Sequence, residues 1–206
     1  MPEPIAGAVG ERLSVSEYRA DFAAREFAVD GHDSWKLERR QQFAEPTRPT
    51  WVAFAAGDWP ASMRLNEERR AALLRYNARA AEHRIRLLRV RVVEEPFTPY
   101  LIWELHTLRL RAECGELIRV VDAQAVARHE TRAVLPELVT LGPDTVYEIA
   151  YDAAGALAGA VRHTDPALTA RVTAFIAQLY AQGEDLSEFF ARRRVAGLVP
   201  PAGAVH

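Results

Sequence analysis

RIRLLRVRVV (84–93), EEPFTPYLIWELHTLRLRAECG (94–115) and ELIRVVD (116–122) follow one another in mid-chain, and their patterning decides the fold. In the first, Ile85 and Leu87 alternate with Arg84 and Arg86. The phase slips at Leu88 and resumes with Val90 and Val92 opposite Arg89 and Arg91, which predicts a strand with a bulge or a late start. Four arginines are costly to bury, so one end of this strand is expected to face solvent, acids or a partner. Pro96 and Pro99 stop it. Thr98 is placed to cap a helix whose first turn accepts Pro99, and Leu101, Leu105, Leu108 and Ala112 fall on one face of that helix. Gly115 ends it, because glycine takes the left-handed conformation without strain. ELIRVV reads as a second strand, and strand, crossover helix and strand in one sheet predict a parallel pair.

A chain of 206 residues holds one sizeable core. The expectation is a flexible leader over 1–13, a single α/β domain over 14–194 and a flexible tail over 195–206. The sheet is predicted to be mixed, with mainly antiparallel edges, flanked by three or four helices. A net charge of −2 argues against a generally basic nucleic-acid binder, although arginines crowd between Arg69 and Arg91. Lys36 is the only lysine, and Cys114 is the only cysteine, so an intrachain disulfide and a cysteine metal cluster are both excluded. Neither a signal-peptide pattern nor an apolar run of membrane-spanning length is visible, which predicts a cytoplasmic protein away from membranes.

Outward from the central unit, Ser14 and Glu17 form a capping-box pattern for a helix bearing Tyr18, Phe22 and Phe27. WKLERRQQF (35–43) reads as a strand with Trp35 and Leu37 against Lys36 and Glu38. TWVAFAAGDWP (50–60) reads as a short helix stopped at Gly57, its tryptophans Trp51 and Trp59 lying over the core. Asn66 is predicted to cap a charged helix with Leu73, Leu74, Ala78 and Ala81 inward and Arg69, Arg70, Arg75 and Arg79 outward. A short helix and loop follow Asp122, then a third strand, LPELVTL (135–141). Residues 144–165 read as a β-hairpin turning between Asp152 and Gly155. Asp165 and Pro166 open a last long helix with Val172, Phe175, Ile176 and Leu179 as its stripe and Gly183 as its stop. LSEFFARRR (186–194) adds a final amphipathic turn or two.

No HExxH, phosphate loop or nucleophile elbow occurs in the sequence. The candidate catalytic groups are Glu104 and His106 on the central helix and Glu116 after it; no metal ligand set and no cofactor are predicted. Two residues apart, Glu104 and His106 point away from each other, whereas His106 and Arg109 could share an anion. The plainer reading is a surface histidine. Cys114 reads as a small buried side chain, since no base stands near it in sequence.

WKLE (35–38), FAAG (54–57), RVRVVEEPFTPY (89–100) and GELIRVV (115–121) together resemble an actinobacterial family catalogued as domain of unknown function 6879. Its members carry W-R-L-E, F-L-A-G, R-V-R-V-V-x-x-P-x-x-x-Y and G-E-x-I-R, followed by a hairpin with an aspartate-glycine turn. The resemblance runs from about Phe22 to Gln182. Glu82 and His83 depart from it by replacing the usual glycine, and Leu117 by replacing the usual acid. It implies a regulatory setting, because such genes often accompany helix-turn-helix regulators. A weaker similarity is to one half of the phospholipase D superfamily, whose His-x-Lys hallmark is missing here. The half-domain architecture is expected from it and the phosphodiesterase chemistry is not.

The leading expectation is a non-catalytic binding module with a protein partner, a helix-turn-helix regulator or a second copy of itself. Arg84, Arg86, Arg89, Arg91, Tyr100, Glu116 and Arg119 are its candidate binding residues. The alternative is an enzyme acting on a small phosphorylated or carboxylated metabolite, with the arginines as anion clamps. Nucleic-acid binding is the least favoured. A concave pocket that gathers the polar groups would favour a small ligand; an exposed spread of them would favour a macromolecule.

Overall fold

The computed structural model describes residues 4, 5, 7–131 and 133–200. The order is β1 (Glu11–Leu13), α1 (Val15–Arg25), β2 (Ser34–Glu38), α2 (Pro49–Ala55), α3 (Trp59–Glu67), α4 (Arg70–Glu82), β3 (Leu87–Val93) and α5 (Pro99–Glu113). There follow β4 (Leu117–Asp122), α6 (Ala123–Val126), β5 (Leu138–Leu141), β6 (Thr145–Tyr151), β7 (Leu157–Thr164), α7 (Pro166–Gln182), β8 (Glu184–Asp185) and α8 (Leu186–Arg192). The strands form one sheet in the order β1-β7-β6-β5-β2-β3-β4-β8. Only β2–β3 and β3–β4 are parallel, so the sheet is mixed with antiparallel edges, as expected.

The central unit forms as its patterning predicts. The Thr98 hydroxyl accepts the Leu101 amide at 3.0 Å, Pro99 occupies the first turn of α5, and Gly115 follows its end at φ +113°. The slip in the first strand has a local cause. Arg84 sits at φ +54° and the Ile85 amide donates to the Ala80 carbonyl, so residues 84–86 finish α4 and the strand begins at Leu87. Neither β3 nor α5 is amphipathic. Val90, Val92, Arg89 and Arg91 are all buried, and α5 buries Tyr100, Trp103, Glu104, Thr107 and Leu110 besides its leucine stripe.

One sheet face packs Leu37, Val90, Val92, Val121, Leu138 and Val146 on the α7 stripe Val172, Phe175, Ile176 and Leu179. Each such side chain contributes roughly 1.5–3 kcal/mol when fully buried. The other face is covered in two parts. Over β3 and β4, α5 and α8 close on Val93, Ile118 and Val120; over β5–β7, Tyr18 and Phe22 of α1 pack on Val139, Tyr147 and Ala160. Between these two covers, above β2, lies the pocket described below. Gly183 stops α7 for want of space: a Cβ there would come within 2.9 Å of the Arg119 side chain.

Several expectations are corrected. The predicted charged helix is α4, which begins at Arg70 and not directly after Asn66, because a separate helix, α3, precedes it: Asp58 caps α3 by accepting the Ala61 amide at 2.9 Å, with Pro60 in its first turn. Asn66 is therefore a buried residue inside α3 and not a cap. The inward face of α4 carries Leu73 and Ala80, while Leu74, Ala78 and Ala81 are exposed. The segment read as a leader contains β1, which pairs antiparallel with β7, and Phe27 lies beyond α1 against Tyr76. Val195, at the start of the expected tail, is fully buried against α5 and α8. The leader positions 1–3 and 6 and the tail positions 201–206 lie outside the described residues. Among the described residues, no helix is long and apolar enough to cross a membrane.

Candidate functional site

Residues two apart on a strand share a face, so Lys36 and Glu38 on β2 lie on the same side of the sheet as Arg89 and Arg91 on β3. The register sets Lys36 beside Arg89 on one flank and beside Val139 on the other. Glu38 accepts Arg89 Nη1 at 2.6 Å and Lys36 Nζ at 2.6 Å. Arg89 Nε donates to Glu116 Oε1 at 2.6 Å, and Arg111 Nη1 reaches Glu116 Oε2 at 2.9 Å. Behind this chain, fully buried Arg91 holds Glu104 Oε2 at 2.7 Å and donates to the Val92 carbonyl at 2.7 Å. Removing such charges from water costs several kcal/mol each, which is tolerable only because each finds a partner here.

The electrostatics follow from that pairing. Burial alone would raise the Glu38 and Glu116 carboxyls. Arg89 outweighs it in both, so Glu38 lies well below its usual range and Glu116, helped by Arg111, is held at about 2. Glu104 goes the other way: its burial, with Glu38 close by, exceeds what Arg91 returns, and its carboxyl is raised. Burial likewise pushes Glu137 up to about 7, although its Oε1 accepts the Arg39 and Arg40 amides at 2.8 and 2.7 Å.

Two adjoining cavities of about 450 and 230 Å³ open above this face, sharing Tyr18, Lys36, Arg89, Arg111 and Val139 as walls. The larger extends under α1 and α4, past Phe22, Arg69, Leu73 and Tyr76. The smaller extends along α5, past Arg48, Tyr100 and Glu104. Arg48 is paired with Glu45, which also accepts the Tyr100 hydroxyl at 2.7 Å. Arg69 differs. It pairs with no carboxylate among the described residues, and its Nη1 is buried without a hydrogen-bond partner. Burial, then the Arg48 and Arg111 charges, lower its guanidinium to about 10. It still carries its charge at neutral pH, in a cluster of like charges.

The sequence-predicted residues divide three ways. Arg89, Tyr100, Glu104 and Glu116 meet at the pocket, with Arg91 directly beneath. Arg84 and Arg86 lie on the surface, paired with Asp30 and Asp33. Arg119 is on the opposite face, donating to the Gly183 carbonyl at 2.9 Å. His106 is half-buried and not a surface histidine: its ring packs edge-on against Trp59 and Phe190, with Nε2 3.2 Å from the Val195 carbonyl. Cys114 is buried. Tyr18, Lys36, Glu38 and Arg48 were not among the predicted site residues. The signal for two of them was present, because K-x-E on a strand facing R-x-R on its neighbour predicts a charged ladder if the strands pair. Among the described residues, no group of three or more His, Cys, Asp and Glu converges as a metal site.

A family model described as a domain of unknown function, DUF6879, matches residues 21–191. Comparison with the curated proteins returns no match. Among solved structures, TrmBL2, an archaeal chromatin protein with a novel mode of DNA binding, is similar over 88% of this chain and 57% of that one. Its identity is 9% and its TM-score 0.40, too low for the likeness to carry an argument.

Proposed function

The chain belongs to the DUF6879 family, and because a domain of unknown function passes on no activity, we propose from its pocket that it binds a small phosphorylated or carboxylated molecule. The observation that carries this reading is Arg69, a half-buried guanidinium in the wall of a cavity, paired with no carboxylate among the described residues and flanked by Arg48 and Arg111. An anion against the guanidinium would supply the countercharge that no carboxylate gives it and relieve the repulsion among the three arginines. Binding is favoured over catalysis because Glu38, Glu104 and Glu116 are each held by an arginine. A general base must be free to take a proton, and these carboxylates are committed.

The concave gathering of polar groups also favours a small ligand over the exposed arginine face expected of a protein-binding surface. Arg84 and Arg86 remain exposed but are already occupied by aspartates. A helix-turn-helix regulator or a second copy as partner, and a cytoplasmic location, stay in the proposal as sequence-based readings. A small molecule in the pocket is the kind of signal such an accessory could relay. The test is calorimetric titration of the full chain with phosphate, pyrophosphate and citrate, repeated on Arg69→Met. Saturable binding that weakens at least tenfold in the variant supports the reading. Binding that is indifferent to Arg69, or no binding by any of the three, refutes it.

A further inference from the structure

Resting on that reading, we propose that the ligand is a monocarboxylate with an apolar or aromatic body, its carboxylate at Arg69 and its body in the larger chamber. The ion pairs in the walls set the charge. Of the cations lining the two cavities, Lys36 is matched by Glu38, Arg89 by Glu38 and Glu116, Arg111 by Glu116 and Arg48 by Glu45. Arg69 is left without a carboxylate among the described residues, so one negative charge is wanted, and it is wanted there. A carboxylate brings a single charge on two coplanar oxygens, the match of a guanidinium fork. A phosphate monoester brings about −1.5 to −2 at pH 7, and its surplus would have to draw Arg89 or Arg111 away from Glu116.

The hydrogen bonds in the walls set the rest of the molecule. Away from the cations, the larger chamber is lined by Tyr18, Phe22, Leu73, Tyr76, Leu87 and Leu88. Its neutral and acidic polar groups are mostly in use: the Ser34 hydroxyl donates to the Thr140 carbonyl at 3.0 Å, Tyr76 donates to Glu26, and both oxygens of Glu116 hold arginines. A sugar or a nucleotide would bury hydroxyls and ring nitrogens there with few partners, and each unmade bond costs affinity. An apolar body meets no such cost, and the volume of about 450 Å³ falls within the range of pockets that enclose a small organic ligand. The Tyr18 hydroxyl has no partner among the described residues. Burial raises that phenol to about 12, so it keeps its proton and can donate to a carboxylate oxygen.

The test is calorimetric titration of the full chain at pH 8 with phenylacetate, acetate and phenyl phosphate, repeated on Arg69→Met. Phenylacetate and phenyl phosphate share a ring and a one-atom link to the head, and at that pH the second carries about two charges. The expected result is phenylacetate binding at least tenfold tighter than either of the others, and at least tenfold weaker in the variant. If phenyl phosphate binds as tightly as phenylacetate, the single-charge argument is wrong; if acetate does, the chamber argument is wrong. If phenylacetate fails to bind while phosphate or citrate binds through Arg69, the monocarboxylate falls and the anion pocket stands. Phenylacetate binding that Arg69→Met leaves unchanged, or failure of every one of these anions to bind, overturns the pocket reading as well.

Discussion

Replacing Arg69 with methionine should make the ligand-free protein more stable, an outcome contrary to the usual effect of substituting a half-buried residue. Methionine keeps most of the apolar stem and removes only the charged head. The guanidinium is lowered from its ordinary 12.5 to about 10, by burial first and by Arg48 and Arg111 second. Taken at face value, that depression is worth about 3 kcal/mol against the charged folded form. The group is partly exposed, so solvent screening reduces this to about 1 kcal/mol. Arg69 is also the residue flanking the start of α4, where a cation opposes the helix dipole by about 0.3–1 kcal/mol. The variant should therefore gain about 1–2 kcal/mol, and each kcal/mol raises Tm by roughly 2–4 °C in a chain of this size. A base whose folded pKa is depressed is penalised at every pH below that value and released only as pH climbs towards the unfolded one. The gain should accordingly be constant between pH 6 and 9. Chemical denaturation in a buffer free of phosphate and carboxylates is the assay. A variant that is less stable than the parent would show that the guanidinium is satisfied in the folded chain, and the anion-binding argument would lose its basis.

Three further outcomes follow from the same geometry. Arg91→Met should cost about 3–5 kcal/mol in urea denaturation, because it strands Glu104 in the core; the double variant Arg91→Met, Glu104→Leu should recover most of that, and equal losses in both would refute the pairing. Glu137 is raised to about 7, so the stability it gives is complete below pH 4.5 and fades as pH rises through 7. Glu137→Gln keeps an oxygen for the Arg39 and Arg40 amides, so it should flatten that part of the stability profile, by up to about 3 kcal/mol; an unchanged slope would remove Glu137 as its source. Gly159 adopts φ +127°, and a Cβ there would lie 2.1 Å from the Leu13 carbonyl oxygen. Gly159→Ala should cost about 2 kcal/mol or more and speed hydrogen exchange at residues 11–13, whereas protection retained there would contradict the register of β1 on β7.

The central strand–helix–strand unit was legible because its signals are local: period-two alternation, a Thr-Pro cap and a glycine stop. What was not legible arose from distance in sequence. Arg89 meets Glu116 across 27 residues and Glu38 across 51, and nothing in the alternation of β3 says that both of its faces are covered. Counting arginines on a strand as a solvent-facing edge held for Arg84 and Arg86, which precede the strand, and not for Arg89 and Arg91 within it. Arg69 was read as outward because the helix was started at Asn66. Helix α3, capped at Asp58 with Pro60 in its first turn, runs through Asn66 to Glu67, so Arg69 precedes α4 and does not lie on its outer face. The family resemblance supplied the fold's extent and no chemistry, and the pocket appears only once β2, α1, α4 and α5 are brought together.

The sheet ends at β1 on one side and β8 on the other, strands of three and two residues. A long bare edge offers a row of unpaired amides and carbonyls to any passing chain, and natural sheets guard against that with short, charged borders. Here β1 carries Glu11, tied to Arg162 of β7, so the hairpin's outer strand is masked along residues 160–162 by a cap that is itself too short to template another strand. Deleting residues 1–13 would take Leu13 out of the core over β5–β7 and turn β7 into an open border, and the consequence to look for is aggregation on storage together with a loss of stability.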